Sequence, residues 1–191
     1  MITRAEFMSR IYLSTDRKMI KQLAEDVIAN DFPLETVMEM LHSPNAQCSF
    51  HCSLLLEALF IKDSALLDPV LERLFRQYSE IKRYSTARSL AKILTNVYRL
   101  KAQKQATPKM LEVTDGRYDD NIIDGCFKQL NHKEFKISVS IWQLQLLTFF
   151  MNKKNAWVKD EALAVIERIR QIDSPSVVAF TKKYCEKIKS L

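Results

Sequence analysis

The feature that most constrains this chain is its near lack of glycine. Gly116 and Gly125 are the only two glycines in 191 residues, whereas average usage of about 7% would give roughly 13. Hairpin turns and phosphate-binding loops use glycine because its backbone adopts positive φ angles and leaves room for close approach. A chain with so little glycine is expected to be all-α, with helices joined by short turns made from other residues.

The spacing of the two glycines also excludes several kinds of active site. They lie nine positions apart, so the chain has no G-x-G-x-x-G dinucleotide loop, no G-x-x-x-x-G-K phosphate loop and no G-x-S-x-G nucleophile elbow. The three histidines, His42, His51 and His132, have no serine or cysteine neighbour in a distinctive motif. We therefore interpret the chain as a non-enzyme and expect no catalytic residue, no cofactor and no metal ligand.

Composition and the first residues are those of an ordinary globular protein. Apolar residues make up 47% and charged residues 27% of the sequence, which is enough to bury a core. The first helix carries Arg4, Glu6 and Arg10 in place of the apolar core of a secretory signal. We therefore expect a cytoplasmic protein with no membrane contact, a single helical-repeat domain over residues 1–191, and reduced cysteines. The oligomeric state is left open.

Helix start signals recur along the chain with amphipathic spacing between them. Asp16 is a typical N-cap, Pro33 suits a first helical position, and apolar residues follow at intervals of three and four. Residues 105–119 interrupt this pattern as a polar loop insertion. The predicted helices are Thr3–Leu13, Asp16–Asn30, Pro33–Ser43, Ala46–Lys62, Ser64 or Asp68 to Ile81, Ser85–Lys104, Asp120–Leu130, Lys133–Asn152, Ala156–Ile172 and Ser176–Ser190.

Three of these helices share an internal repeat that begins at Phe50, Tyr84 and Phe135. In each copy a small residue follows the aromatic one by three positions, and aliphatic residues follow at six and nine positions. The copies are 34 and then 51 residues apart, and the longer interval includes the polar loop. Repeats of this length predict a HEAT/armadillo-like right-handed α-solenoid of antiparallel helix pairs, with a plain helical bundle as the alternative.

Four runs of the sequence share a likeness to known proteins. They are Cys48–Glu57, Thr86–Leu94, Cys126–Phe127 and the helix around Trp157. In these runs the chain resembles a family of short HEAT-like helical-repeat proteins from Bacteroidetes-type bacteria, whose members are often labelled adenylosuccinate lyase. The resemblance implies a helical-repeat fold and, through that label, a lyase activity.

The residues of this chain do not support the lyase label. The lyase family has chains more than twice as long and carries its catalytic serine in a flexible Ser-Ser-x-Met-Pro-x-Lys-x-Asn loop. This chain contains neither Ser-Ser nor Met-Pro. No lyase residue can therefore be carried over to it.

Positive charge is concentrated in one region of the chain. Residues 82–109 contain eight Lys or Arg residues and no Asp or Glu, whereas the whole chain has a formal net charge of +6. At helical spacing Arg88, Lys92 and Arg99 lie within about 40° of one another, opposite the apolar face. We call these three residues the basic stripe, and we predict that they bind a partner together with Gln103. The alternative is a solvated helix face without a binding role.

Two other groups of polar residues are explained by helix structure without a bound ligand. Two of the five carboxylates in and after the polar loop fit capping of the helix that begins near Asp120, because a helix N-terminus presents unpaired N–H groups. A second hypothesis is that the loop folds over the basic stripe and masks it. Cys48, His51 and Cys52 could be drawn as metal ligands, but a buried cysteine pair explains them better.

Together these observations favour a non-catalytic protein-interaction module that presents the basic stripe to an acidic protein or peptide. The first alternative is a nucleic-acid-binding or DNA-repair-type HEAT protein, because cationic stripes also neutralise phosphates. Such proteins use exposed aromatic side chains, whereas Trp142 and Trp157 fit core positions better. The second alternative is the lyase activity that the family label claims.

Overall fold

The computed structural model of the protein describes residues 2–13, 16–132, 136–151, 155–172 and 174–190. Within these ranges the chain is all-helical and contains no strand, which confirms the all-α prediction. Short 3-10 turns occupy Ser64–Leu67 and Tyr78–Glu80. The helices are α1 (Arg4–Leu13), α2 (Arg17–Ala29), α3 (Leu34–Leu41), α4 (Ala46–Lys62), α5 (Asp68–Gln77), α6 (Tyr84–Ala102), α7 (Pro108–Val113), α8 (Asp119–Leu130), α9 (Ile137–Leu147), α10 (Ala156–Arg170) and α11 (Pro175–Lys189).

The largest departure from the predicted helices lies in residues 105–119, which contain the short helix α7. Thr107 is its N-cap and accepts the N–H of Met110 at 3.2 Å, while Pro108 takes the first helical position. Met110 and Val113 are buried, and α7 packs on α5. The segment is polar overall, but Thr107 followed by Pro108 is a helix start signal that predicts this short helix.

The helix predicted over Lys133–Asn152 is shorter among the described residues, where α9 ends at Leu147. The N–H groups of Phe149 and Phe150 donate to carbonyls three residues earlier, at 3.2 and 2.9 Å, which tightens the chain into a turn. Both rings then pack on Tyr98, each with its centroid 5.2 Å from the tyrosine ring. Aromatic packing on α6 thus accompanies the early end of α9.

Helix α6 lies at the centre of the fold. It packs on α4 and on α9, so that these three helices lie side by side, and α11 contacts α9. A second row is formed by α3, α5 and α8, in which α3 packs on α5 and α5 packs on α8. Helices α2 and α3 cover α4, α8 covers α9, and α10 pairs with α11. This packing leaves only a narrow strip of α6 in contact with solvent.

Two of the three repeat positions fall within the described residues. Phe50 lies in α4 and Tyr84 begins α6, whereas Phe135 lies outside them. Tyr84 is buried and stacks on His132 with 5.1 Å between ring centroids. Its hydroxyl accepts the N–H of Lys136 at 3.1 Å. This repeat position therefore connects α6 to the chain segment that leads into α9.

Two helices end in a left-handed turn without glycine. The residue after the C-cap has φ 47° at Asp31, beyond α2, and φ 60° at Lys104, beyond α6. In each case the next residue donates its N–H to the carbonyl five positions back, at 3.0 and 2.9 Å, as in a Schellman motif. Such turns normally use glycine, and a side chain there costs roughly 1–2 kcal/mol. At these two helix ends the glycine-poor chain therefore adopts a strained left-handed turn with Asp31 and Lys104 in place of glycine.

Gly125 is needed for close packing rather than for its backbone angle. A Cβ at this position would lie 2.7 Å from Cδ1 of Tyr78 and 3.1 Å from Cα of Ser79. Tyr78 is buried, and its hydroxyl donates to Oε1 of Gln143 at 2.6 Å. Burial raises the pKa of Tyr78, so this hydroxyl stays a hydrogen-bond donor. Helix α8 can approach the Tyr78 turn only because no side chain intervenes.

Candidate binding surface

The basic stripe occupies the strip of α6 that its neighbours leave open. Arg88, Lys92 and Arg99 are each half-buried, and Gln103 is exposed at the end of the helix. Lys92 and Arg99 both lie over the ring of Trp142 on α9, at 5.7 and 5.8 Å from its centre. Cation–π contacts of this kind are favourable. Lys92 and Arg99 therefore form one surface with α9.

Lys92 is neutralised within the fold. Its Nζ forms an ion pair with the carboxylate of Glu57 on α4, and the two side chains are only 29% and 19% exposed. Water and salt screen such a pair less than a fully exposed one. Nothing in residues 82–109 indicates this partner, because Glu57 lies 35 positions earlier in the chain. One of the three stripe cations is thus already paired.

Arg99 and Arg88 have no carboxylate partner among the described residues. Arg99 donates to two neutral oxygens, from Nη1 to Oδ1 of Asn96 at 3.1 Å and from Nη2 to Oε1 of Gln145 at 3.0 Å. The Nε atom of Arg88 is buried without a hydrogen-bond acceptor in the described part of the chain. Guanidinium groups bind carboxylates in a bidentate manner. Both arginines therefore retain a positive charge that no carboxylate of the described residues neutralises.

Positive charge continues from α6 onto α11. Gln145 donates from Nε2 to the hydroxyl of Tyr184 at 3.1 Å, so one amide links Arg99 to α11. Lys183 and Lys187 lie before and after Tyr184 in that helix. Burial and the nearby charges of Arg99 and Lys183 lower the pKa of Lys187. These cations repel one another, and an anion bound between them would relieve that repulsion.

Positive charge also continues from α6 onto α2. Arg17 and Lys21 line a groove between α2 and α4, and Lys92 lines the same groove. The cations of α2, α6 and α11 therefore form a belt that crosses α4 and α9. We call this belt the basic surface. Its residues are Arg17, Lys21, Arg88, Lys92, Arg99, Lys183 and Lys187.

Glu112 and Asp115 of the polar loop form no ion pair with the basic stripe among the described residues. Glu112 pairs with Lys109 at 3.0 Å, and Asp115 pairs with Arg117 at 2.8 Å. Lys101 donates to the carbonyl of Thr114. Cations within the loop thus pair with Glu112 and Asp115 locally, and the masking hypothesis receives no support from these two carboxylates. Among the ion pairs of the described residues, the stripe is contacted by Glu57 of α4.

The two tryptophans are more exposed than the core positions predicted for them. Trp142 is only partly buried because it forms the floor beneath Lys92 and Arg99. Trp157 is 53% exposed and touches Phe127 with 5.9 Å between ring centroids. An apolar position in a helical pattern shows that a residue faces a neighbouring helix. It does not show how far that neighbour covers it.

The cysteine and histidine group on α4 has structural contacts. Cys48 and Cys52 are free and buried, and hydrogen bonding to Cys48 together with burial raises the pKa of Cys52. His51 donates from Nδ1 to the carbonyl of Ile11 at 2.8 Å, which ties α1 to α4. No group of three or more His, Cys, Asp or Glu residues suited to a metal occurs in the described ranges.

Comparison with models of protein families, with curated proteins and with solved structures finds no match to this chain. Among the described residues no helix is both long enough and apolar enough to cross a lipid bilayer.

Several residues of this surface could not be found by the sequence reasoning that gave the stripe. Glu57, Trp142 and Lys187 lie on three other helices, and only tertiary packing brings them to α6. A partial signal existed on α11, where Lys183 and Lys187 are separated by one helical turn. Their spacing predicts a shared face, but it does not predict that this face meets Arg99.

Proposed function

We propose that this protein is a non-catalytic interaction module that binds an acidic protein segment along its basic surface. The observation that carries the proposal is the charge imbalance on α6, where Arg88 and Arg99 have no carboxylate partner in the described residues. A partly buried cation without a carboxylate partner attracts an anionic ligand more strongly than a fully exposed one, because the protein around it lowers the local dielectric constant. A partner with several carboxylates would be such a ligand.

We also propose that the helices form a HEAT-like solenoid with α4, α6 and α9 as its inner row. The proposal is supported by the side-by-side packing of these three helices and by the second row of α3, α5 and α8. The repeat interval of 34 residues fits one helix pair with its turns. In this arrangement the basic surface is the inner, concave face.

An acidic protein segment fits this surface better than a nucleic acid does. Stacking of bases requires a free aromatic face, whereas Lys92 and Arg99 lie over the ring of Trp142. The carboxylate of Glu57 also stands beside Lys92, where it would repel a continuous phosphate backbone. A peptide can place its carboxylates on the arginines and leave Glu57 uncontacted.

Binding of a fluorescent glutamate-rich peptide, measured by anisotropy at several salt concentrations, tests the proposal. The wild-type chain is expected to bind the peptide, and the Arg88→Gln/Arg99→Gln variant is expected to bind about 10- to 100-fold more weakly. Two charge-assisted hydrogen-bonding groups are lost, at about 1.5 kcal/mol or less each. The measured quantity is the ratio of dissociation constants at matched salt.

The matched control is Lys128→Gln/Arg170→Gln, which removes two exposed cations that lie on α8 and α10. This variant has the same net charge as the test variant and is expected to retain wild-type affinity. Equal losses of peptide affinity in the two variants would show that binding depends only on the net charge of the chain.

Tighter binding of duplex DNA than of the peptide, with a steep salt dependence that the Arg88→Gln/Arg99→Gln change flattens, would favour the nucleic-acid function. Turnover of adenylosuccinate by the purified chain would overturn the non-catalytic assignment.

Replacing Glu57 with glutamine is expected to strengthen binding of the acidic peptide by about two- to tenfold. The change frees Lys92 from its internal ion pair and removes a negative charge beside the stripe, which corresponds to roughly 0.5–1.4 kcal/mol. The same anisotropy titration measures the effect. Glu39→Gln, which removes an exposed carboxylate paired with Arg4, serves as the control. If both variants bind like the wild type, Lys92 does not contribute to the binding site.

A further inference from the structure

A groove opens at the α2 end of the basic surface. It has a volume of about 290 Å³ and lies between α2 and α4, with Lys92 of α6 at its edge. Because Lys92 belongs to the basic stripe, the groove is continuous with the surface proposed to bind an acidic segment. The residues that line it are Arg17, Ile20, Lys21, Leu54, Glu57, Ala58, Ile61 and Lys92.

The floor of the groove is apolar. Ile20 is buried, and Leu54 and Ala58 are partly buried against the core. Ile61 stands at the rim with 68% of its surface exposed, the largest exposed fraction among the large apolar side chains described. Exposed apolar surface beside a concave floor is typical of a site that receives an apolar group.

The rim of the groove is positively charged. Three of the lining residues are cations and one is a carboxylate, and that carboxylate is already engaged by Lys92. Arg17 and Lys21 form no ion pair within the described ranges. An apolar side chain that enters here would therefore be most compatible with acidic neighbours. This combination distinguishes the groove from a purely hydrophobic slot.

We propose that the groove binds one large apolar side chain, of leucine, methionine or phenylalanine size, from the acidic partner segment. The acidic residues next to that side chain contact Arg17 and Lys21 on one side and the basic stripe on the other. The proposal rests on the proposed function, and it adds a specific anchor to a surface that otherwise selects only by charge. Electrostatic contacts at a rim set specificity and association rate, whereas a buried apolar anchor supplies much of the affinity.

Two glutamate-rich peptides that differ in one residue test the anchor. One carries a central leucine and the other carries alanine at that position, so their charges are equal. The wild-type chain is expected to bind the leucine peptide about tenfold or more tightly, as burial of such a side chain allows. Ala58→Phe, which fills the groove, is expected to bring the ratio of the two affinities close to one.

A second pair of variants keeps the test valid if Ala58→Phe disturbs folding. Ile61→Ser removes an exposed rim side chain and is expected to lower the leucine preference several-fold. Val178→Ser removes an exposed apolar side chain from α11 and is expected to leave the preference unchanged. Circular dichroism and thermal melting establish that each variant is folded.

The outcomes separate the anchor from the proposed function. Equal binding of both peptides to the wild type would overturn the anchor and leave the acidic-segment function intact. Absence of binding by either peptide would overturn the function itself. A leucine preference that persists in both Ala58→Phe and Ile61→Ser would place the apolar contact elsewhere. A wild-type dimer that Ile61→Ser converts to a monomer in sedimentation would show that a second copy of the chain occupies the groove, which also overturns the proposal.

Discussion

Replacing Lys92 and Arg99 together with glutamate is expected to abolish binding of an acidic peptide and to create binding of a basic one. Two cations become two anions beside Glu57, so the centre of the surface changes sign. Like-charge contacts across an interface cost several kcal/mol, and a loss of more than about 100-fold is expected for the glutamate-rich peptide. Anisotropy titration with glutamate-rich and lysine-rich peptides of equal length measures both changes.

The neutral variant Lys92→Gln/Arg99→Gln is the appropriate comparison for this reversal. It is expected to bind both peptides weakly, because it removes attraction without adding repulsion. Adding Glu57→Gln to the reversed pair relieves the like-charge contact within the fold, so a loss of binding can be separated from a loss of stability. If the reversed variant is folded and still binds the acidic peptide as well as the wild type, the stripe is a solvated helix face without a binding role.

Replacing Gly125 with valine is expected to produce the largest loss of stability of any single change considered for this chain. Even the first atom of a side chain would overlap the buried ring of Tyr78 and approach the backbone at Ser79. Overpacking of this kind costs about 1–3 kcal/mol or more, which exceeds the gain of up to roughly 1 kcal/mol from replacing a helical glycine. Urea unfolding, followed by helical circular dichroism, measures the change.

Two comparisons make the Gly125 test specific. Asp124→Ala lies next to it on the exposed side of α8 and is expected to change the unfolding free energy by less than about 0.5 kcal/mol. Gly125→Ala should be less harmful when combined with Tyr78→Leu than on the wild-type background, because the smaller side chain makes room for the added carbon. If the losses of unfolding free energy from Gly125→Ala and Tyr78→Leu are simply additive, the contact with Tyr78 is not the cause of the destabilisation.

The parts of this fold that could be predicted are those decided by local sequence. Asp16 caps α2 as expected, with its carboxylate accepting the N–H of Met19 at 2.9 Å. Apolar spacing alone identifies α6, and the same spacing brings Lys92 and Arg99 to one side of it. These signals are local because helical hydrogen bonds, caps and amphipathic faces involve residues only three or four positions apart.

The parts that could not be predicted depend on contacts between distant helices. The end of α9 is accompanied by packing of Phe149 and Phe150 on Tyr98, and no local breaker marks it. Arg99 reaches Gln145 across 46 positions of sequence. A single sequence shows which face of a helix is polar, but the choice of neighbour depends on the packing of the whole chain. The charge balance of the surface therefore becomes visible only in three dimensions.

The internal pairing of Lys92 with Glu57 has a consequence for what this surface can select. A ligand with one carboxylate that takes Lys92 only exchanges one ion pair for another, so its net gain is close to zero. A ligand with several carboxylates also reaches Arg88 and Arg99, and each added contact is made at high effective concentration. The affinity of a partner would then increase with the number of carboxylates along its chain. Metabolites with a single acid group would compete poorly for the surface.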